Sequence, residues 1–247
     1  SYGWVLPDDC DPTGERLALV QSALHALPHI EGLFWDQATL HQPPRTPEQE
    51  QEYQEEALPV MTDLYASAVG TTVLQLKEIP ARPDEYDGMI QLGNLQVGEA
   101  EIRAALAPID CQMGKHPGAW VTLSSHQAAL EALGSEATST LCGWAATVWN
   151  DRPYDERGWC VTEECLTMEL SARLEAYPKM KAALSELPPK MLALSRDKPP
   201  EPLALQSFEL EGHVGEVMGR LAKAKFSNPS DGDIVPPLYK HYVTRIA

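Results

Sequence analysis

Gly32-Leu33-Phe34-Trp35-Asp36, Thr46-Pro47-Glu48-Gln49 and, after Gly70, Thr71-Thr72-Val73-Leu74-Gln75-Leu76 are the stretches that decide the fold. The first is a short apolar run ending in an acid, the pattern of a buried strand that feeds a loop. The second is a capping box with proline at the first helical position. The helix it opens carries Glu48, Glu50, Glu52, Glu55 and Glu56 early, where the helix dipole favours negative charge. Its later half places Met61, Leu64, Tyr65 and Ala68 at core spacing, with a kink expected at Pro59. The third stretch is a strand. Upstream, Thr13 predicts an N-cap, and Leu17, Val20, Leu24 and Leu27 recur at helical spacing until Pro28 stops the helix. Alternating strands and helices of this kind predict an α/β domain with a mostly parallel sheet.

Beyond this region, Pro80, Pro83 and the polar residues 81–87 break the pattern. Met89–Gly93 and Ala119–Leu123 read as strands, and Gly98–Leu106 and Ser125–Leu133 as helices, which together suit an inserted small α+β unit. The α/β pattern then resumes with a long helix over Arg157–Tyr177, whose core positions are Val161, Cys165, Met168, Leu170 and Leu174. Met191–Leu194 predicts a late strand, and Val214–Ala224 a helix before a polar turn at Asn228–Asp233. The expected division is residues 1–84 and 143–247 for the α/β domain and 85–142 for the insertion.

Charge excludes several classes of function. The 247 residues hold 36 acids and 19 Lys+Arg, a formal charge of −17, with 43% hydrophobic and 22% charged residues, as in soluble globular proteins. Eleven acids and two bases lie between Ser1 and Val60, so more than half of the excess sits there. Such a chain repels DNA and anionic membranes, and no basic patch interrupts it. No apolar run approaches the ~20 residues needed to span a bilayer, and the opening residues lack the basic and apolar regions of a signal peptide. Five cysteines without a CxxC pair suit reduced thiols in the cytoplasm. Seven histidines without HExxH spacing give no expectation of a metal. Asp8, Asp9, Asp11 and Asp36 are read as cap and dipole partners rather than a cation site. There is neither a P-loop nor a GxGxxG motif.

Four separated segments resemble the TIR-like superfamily, in particular its heterokaryon-incompatibility (HET) type. Ser1-Tyr2-Gly3-Trp4 is similar to the segment that closes the first HET strand. Phe34-Trp35-Asp36 through Leu40-His41-Gln42 resembles the following strand-to-loop motif, with His41-Gln42 in place of asparagine-glutamine. Met61-Thr62-Asp63-Leu64-Tyr65-Ala66-Ser67-Ala68 resembles the helix before the next strand. Arg157-Gly158-Trp159-Cys160-Val161-Thr162-Glu163 resembles both the HET R.W..QE and the WC..E helix of plant-type TIR domains, with Thr162 in place of glutamine. The resemblance implies a flavodoxin-like three-layer sandwich with its site at the carboxyl ends of the strands, which is also where open α/β sheets bind ligands. It places most of the first strand before Ser1, an arrangement that would leave a sheet edge to be covered.

Within the insertion, Ile90-Gln91-Leu92-Gly93-Asn94-Leu95 and His116-Pro117-Gly118-Ala119-Trp120-Val121-Thr122-Leu123 are similar to the two signature strands of RNA-recognition motifs. The resemblance implies a ferredoxin-like βαββαβ unit. Its ring positions fall on Gln91, Gly118 and Trp120, so two of three stacking rings are lost, and His116 replaces the preceding base. Together with the acidic charge, this argues against RNA binding and for a spacer or docking surface.

For chemistry, the resemblance singles out Glu163. The matching glutamate of TIR-type NAD hydrolases contacts the nicotinamide ribose, so NAD is the implied substrate and no cofactor is expected. Breaking the nicotinamide–ribose bond develops oxocarbenium character that a carboxylate stabilises. Trp159 would wall the pocket, Arg157 would engage phosphate, and Asp36, His41 and Gln42 would line its mouth. Glu164 follows on the same helix but turns away by about 100°. Cys160 is read as core. The competing expectation is a module without catalytic activity that self-associates or docks a basic partner on the acidic segment Pro47–Ala57.

Overall fold

The structure is a computed structural model that describes residues 1–6, 9–42, 45–114, 118–204, 210–226 and 231–246, the side chains of 210 and 211 excepted. Asp8, His116 and residues 228–230 of the predicted turn at Asn228–Asp233 therefore lie outside the described residues. In chain order come α1 (Glu15–Ala26), α2 (Asp36–Thr39), α3 (Pro47–Glu52), a π-helical turn (Tyr53–Ala57), α4 (Leu58–Ala66) and β1 (Val73–Gln75). Next are β2 (Met89–Leu95), α5 (Glu99–Leu106), β3 (Asp110–Met113), β4 (Gly118–Thr122), α6 (His126–Leu133), α7 (Glu136–Leu141) and β5 (Cys142–Thr147). The chain finishes with α8 (Gly158–Glu175), α9 (Pro178–Ser185), β6 (Met191–Ser195), β7 (Lys198–Pro202), α10 (Leu210–Lys223) and α11 (Asp231–Ile246).

These elements form two compact units. The first comprises Ser1–Gly3, Thr13–Glu78 and Arg152–Ala247; the second comprises Trp4–Pro12 and Ile79–Asp151. The second thus reaches beyond 85–142 at both ends and takes in residues 4–12. Val5 and Leu6 account for that addition, because they pack with Val148 and Trp149 into a small buried cluster.

The first unit is mixed α/β. Its sheet has the order β1-β6-β7, with β1 parallel and β7 antiparallel to β6. Tyr2 extends it through a parallel bridge to Leu76. Side chains alternate along β1. Leu74 and Leu76 meet Val20 and Ala23 of α1, while the Gln75 amide donates to Glu164 of α8 at 3.1 Å. Helices therefore meet both faces of this sheet. A second cluster joins Ala66, Val161, Cys165, Leu166, Val217, Leu221 and Tyr239, on α4, α8, α10 and α11.

Local expectations met different fates. The capping box forms: the Gln49 amide donates to Thr46 Oγ1 and the Gln49 side chain accepts from Thr46 N–H. Thr13 is not the N-cap of α1; Gly14 takes that place at φ 70°, a left-handed conformation that suits glycine. Leu17 is 46% exposed, whereas Val20 is buried and Leu24 and Leu27 pack against the same cluster as expected; α1 also buries Arg16 and Ala23. Gly32–Trp35 makes no strand ladder and runs as irregular chain into α2. The chain accommodates Pro59, which lacks an amide donor, through the π-helical turn ahead of α4.

The second unit is an antiparallel sheet of order β3-β4-β2-β5. Ile90, Leu92, Val121 and Cys111 form one face of it, packed with Ile102 of α5 and Ala129 of α6. Ser125 caps α6 by accepting from the Ala128 amide at 3.2 Å. No described helix is long and apolar enough to cross a membrane.

Candidate active site

α8 fixes the site. Its first residue, Gly158, donates its amide to Lys225 O at 2.9 Å. A Cβ at Gly158 would meet Phe226 at 2.1 Å, so only glycine lets the helix start this close to that ring. Five residues on, Glu163 and Glu164 diverge by one helical step. Glu164 is clasped by cations: Lys77 Nζ at 3.4 Å and Arg220 at 3.3 Å, with the Gln75 amide on the same carboxylate.

Glu163 has a different setting. Among the described residues it forms no ion pair with Lys, Arg or His. Its carboxylate accepts from Ser1 Oγ and from the Tyr65 hydroxyl. Ser1 Oγ also lies 2.6 Å from the Tyr154 hydroxyl, which donates to Cys160 O at 3.2 Å. Burial pushes the Glu163 carboxyl up to about 7. Ser1, through its amino group and hydroxyl, and Tyr65 pull the other way, while the nearby Asp36 charge adds to the rise. Burial also raises the Tyr65 and Tyr154 phenols well above their ordinary value, so both are neutral donors at pH 7. It pushes the Cys160 thiol up strongly as well, which leaves that side chain a core thiol rather than a nucleophile.

Ser1 and Tyr65 also line a cavity of about 810 Å³, with Tyr2, Arg16, Trp35 and Leu74 among its other walls. That volume falls in the range of about 300–1,000 Å³ usual for small-molecule sites. The Tyr2 and Trp35 rings meet edge to face at 5.7 Å, and the Trp35 indole N–H donates to the Tyr2 hydroxyl. That hydroxyl reaches Asp36 Oδ1 at 3.4 Å. Arg16, only 3% exposed, lies with its guanidinium 5.2 Å from the Tyr2 ring centroid.

The structure therefore brings Glu163 and Asp36 together, and Gln42 beside them, its side-chain amide holding the Asp36 carbonyl at 3.0 Å. His41 points elsewhere, with Nε2 3.4 Å from Glu52 at the surface. Trp159 donates its indole N–H to Asp231 of α11 at 2.7 Å. Arg157 is 6% exposed, donates to Arg152 O at 2.7 Å and packs so closely that a Cβ on Gly3 would meet its guanidinium. Arg16, Tyr2 and Tyr154 are functional candidates that the sequence did not mark. An arginine on the buried face of an otherwise apolar helix was the available signal for Arg16. Among the described residues no group of three or more His, Cys, Asp or Glu is placed to hold a metal ion. No disulfide joins any of the five cysteines, all of them buried.

Fold and site thus define an α/β chain in which a carboxyl with no Lys, Arg or His partner among the described residues lies behind the Ser1 and Tyr65 wall of an aromatic-lined cavity. Comparison with protein-family models, curated proteins and solved structures finds no match for this chain.

Proposed function

We propose that the first unit is a TIR/HET-like domain on a flavodoxin-like three-layer plan, and that its Glu163 site cleaves the nicotinamide–ribose bond of NAD. Support for the plan comes from the parallel run of Tyr2, β1 and β6 with helices on both sheet faces. The observation that carries the reaction is the contrast between two adjacent carboxyls. Glu164 is neutralised by Lys77 and Arg220, while Glu163 has no Lys, Arg or His partner among the described residues and is held by the Ser1 and Tyr65 hydroxyls, with the Ser1 amino group nearby; Ser1 and Tyr65 in turn line the cavity. A carboxyl pushed upward by burial next to a cavity is a mark of catalytic sites.

In this scheme the C1′–N bond breaks and its electron pair neutralises the pyridinium, so nicotinamide leaves uncharged. Ionised Glu163 stabilises the positive charge left on the ribose. Water attacks C1′ and gives its proton to Glu163, and ADP-ribose is the second product. A carboxyl near 7 suits both the ionised and the proton-accepting role. Arg16 in the cavity wall faces the pyrophosphate, the part given to Arg157 by the motif alone. The test is nicotinamide release from NAD by the wild type, by Glu163→Gln and by Glu164→Gln. Loss in the first variant only is expected, and equal loss in both would remove Glu163 from its assigned role.

A second reading is supported by the exposure of Glu48, Glu52, Glu55 and Glu56 along α3 and the π-helical turn. It makes this stretch a docking surface for a basic protein partner or a second copy. Reversing Glu52 and Glu55 would then weaken a salt-sensitive association; association insensitive to salt would count against it.

A further inference from the structure

The outer face of the second unit's sheet carries a pair of rings that the motif comparison undercounts. Trp120 on β4 is 46% exposed and Trp144 on β5 is 39% exposed. They flank β2, where Gln91 stands opposite Trp120 and Gly93 opposite Trp144. Because alternate residues share a face, both indoles stand on the side away from Ile90, Leu92 and Val121. Trp144 is fixed in place: a Cβ on Gly93 would come within 2.0 Å of its ring, so the indole lies directly on the glycine backbone. Gln112 on β3 stands opposite Trp120 from the other side. No Lys or Arg occurs on β2, β3, β4 or β5.

The charge around this platform decides what it attracts. Residues 79–151 contain nine acids and three bases. Arg82 is paired with Asp87 and Asp151, and Arg103 with Glu99. Asp110 stands at the edge of the same sheet. A phosphate backbone is repelled here, whereas a cation is drawn in and can lie over the indole faces, tryptophan being the best ring for that contact.

We propose that the Trp120–Trp144 face binds an extended, arginine-bearing peptide segment of a protein partner. The two tryptophans are two strands apart and displaced by two residues, a separation of about 12 Å from strand spacing and rise. In an extended peptide, residues four apart lie on the same side and about 13 Å from each other. The Trp144 ring leans over Gly93 and so lies nearer Trp120 than its backbone does; arginines at i and i+2 or at i and i+4, which share a side, can reach both rings, whereas those at i and i+3 face opposite ways.

The test titrates the full chain with Gly/Ser peptides bearing two arginines at spacing two, three or four, and with oligouridylate, following the indole N–H signals by NMR. The expected result is saturable binding of the spacing-two and spacing-four peptides, tighter than that of the spacing-three peptide, with shifts of the Trp120 and Trp144 signals. Affinity should fall about three- to thirtyfold in Trp120→Ala and in Trp144→Ala, and weaken with salt. The remaining indole signals report whether each variant is folded, and Trp120→Phe, which keeps a ring, should retain most of the affinity. No saturable binding, equal affinity for all spacings, binding unchanged in both alanine variants, or preference for oligouridylate would each overturn the proposal.

Discussion

Replacing Glu163 with glutamine should change how the stability of the protein responds to pH. The carboxyl is held at about 7 in the folded chain against an ordinary 4.5, chiefly by burial. The folded state therefore binds the proton more tightly than the unfolded state. The resulting stabilisation is fully present below about 4.5 and is lost as pH rises through about 7. A displacement of that size corresponds to about 3 kcal/mol, most of it falling between pH 5 and pH 8. Glutamine keeps the shape but has no proton to lose, so the variant should gain on the wild type by about 2–3 kcal/mol across that interval. Urea unfolding followed by circular dichroism at constant ionic strength measures both proteins, and their difference cancels what the two have in common. A difference between the two that stays constant from pH 5 to pH 8 would refute the claim that burial holds the Glu163 carboxyl near 7.

Other substitutions test the packing around the site. Glu169 is fully buried and accepts from Arg173 at 2.7 Å, His213 at 3.0 Å and the Tyr239 hydroxyl at 2.8 Å. Glu169→Ala strands those donors and should cost about 3–5 kcal/mol, whereas Tyr239→Phe removes one donor and should cost about 1.5–3 kcal/mol; thermal unfolding separates the two. Gly158→Ala must displace Phe226 and should destabilise by about 1–3 kcal/mol, as overpacking does, with faster hydrogen exchange at the start of α8. Gly93→Ala should lift the Trp144 indole off the sheet, visible as a change of its NMR signal while the Trp159 signal stays put.

Features set by neighbours in sequence were legible before the structure. The Thr46 capping box and the 100° step that separates Glu163 from Glu164 depend only on helical geometry. Features that depend on a partner elsewhere in the chain were not. Gly32–Trp35 has the composition of a buried strand, but a strand exists only through its ladder, and here Tyr2 bridges to Leu76 while 32–35 pairs with nothing that makes a strand. Ser1 reaches both Tyr154 and Glu163 across more than 150 positions, a meeting that no local pattern encodes. Trp144 escaped because the motif comparison looks at two strands, whereas the register of β5 on β2 supplies the second ring. Arg157 matched a motif, yet its guanidinium is committed to Arg152 and the chain at Gly3.

The pH profile of nicotinamide release is the most direct test of the assignment. If ionised Glu163 stabilises the transition state, the rate of nicotinamide formation from NAD should rise with pH through about 7 and level off above it, because the carboxyl carries that value in the folded chain. Glu163→Gln should show no such rise and no more than a trace of product at any pH. A wild-type protein that releases no nicotinamide at pH 8, or a variant whose profile matches the wild type, would contradict the account.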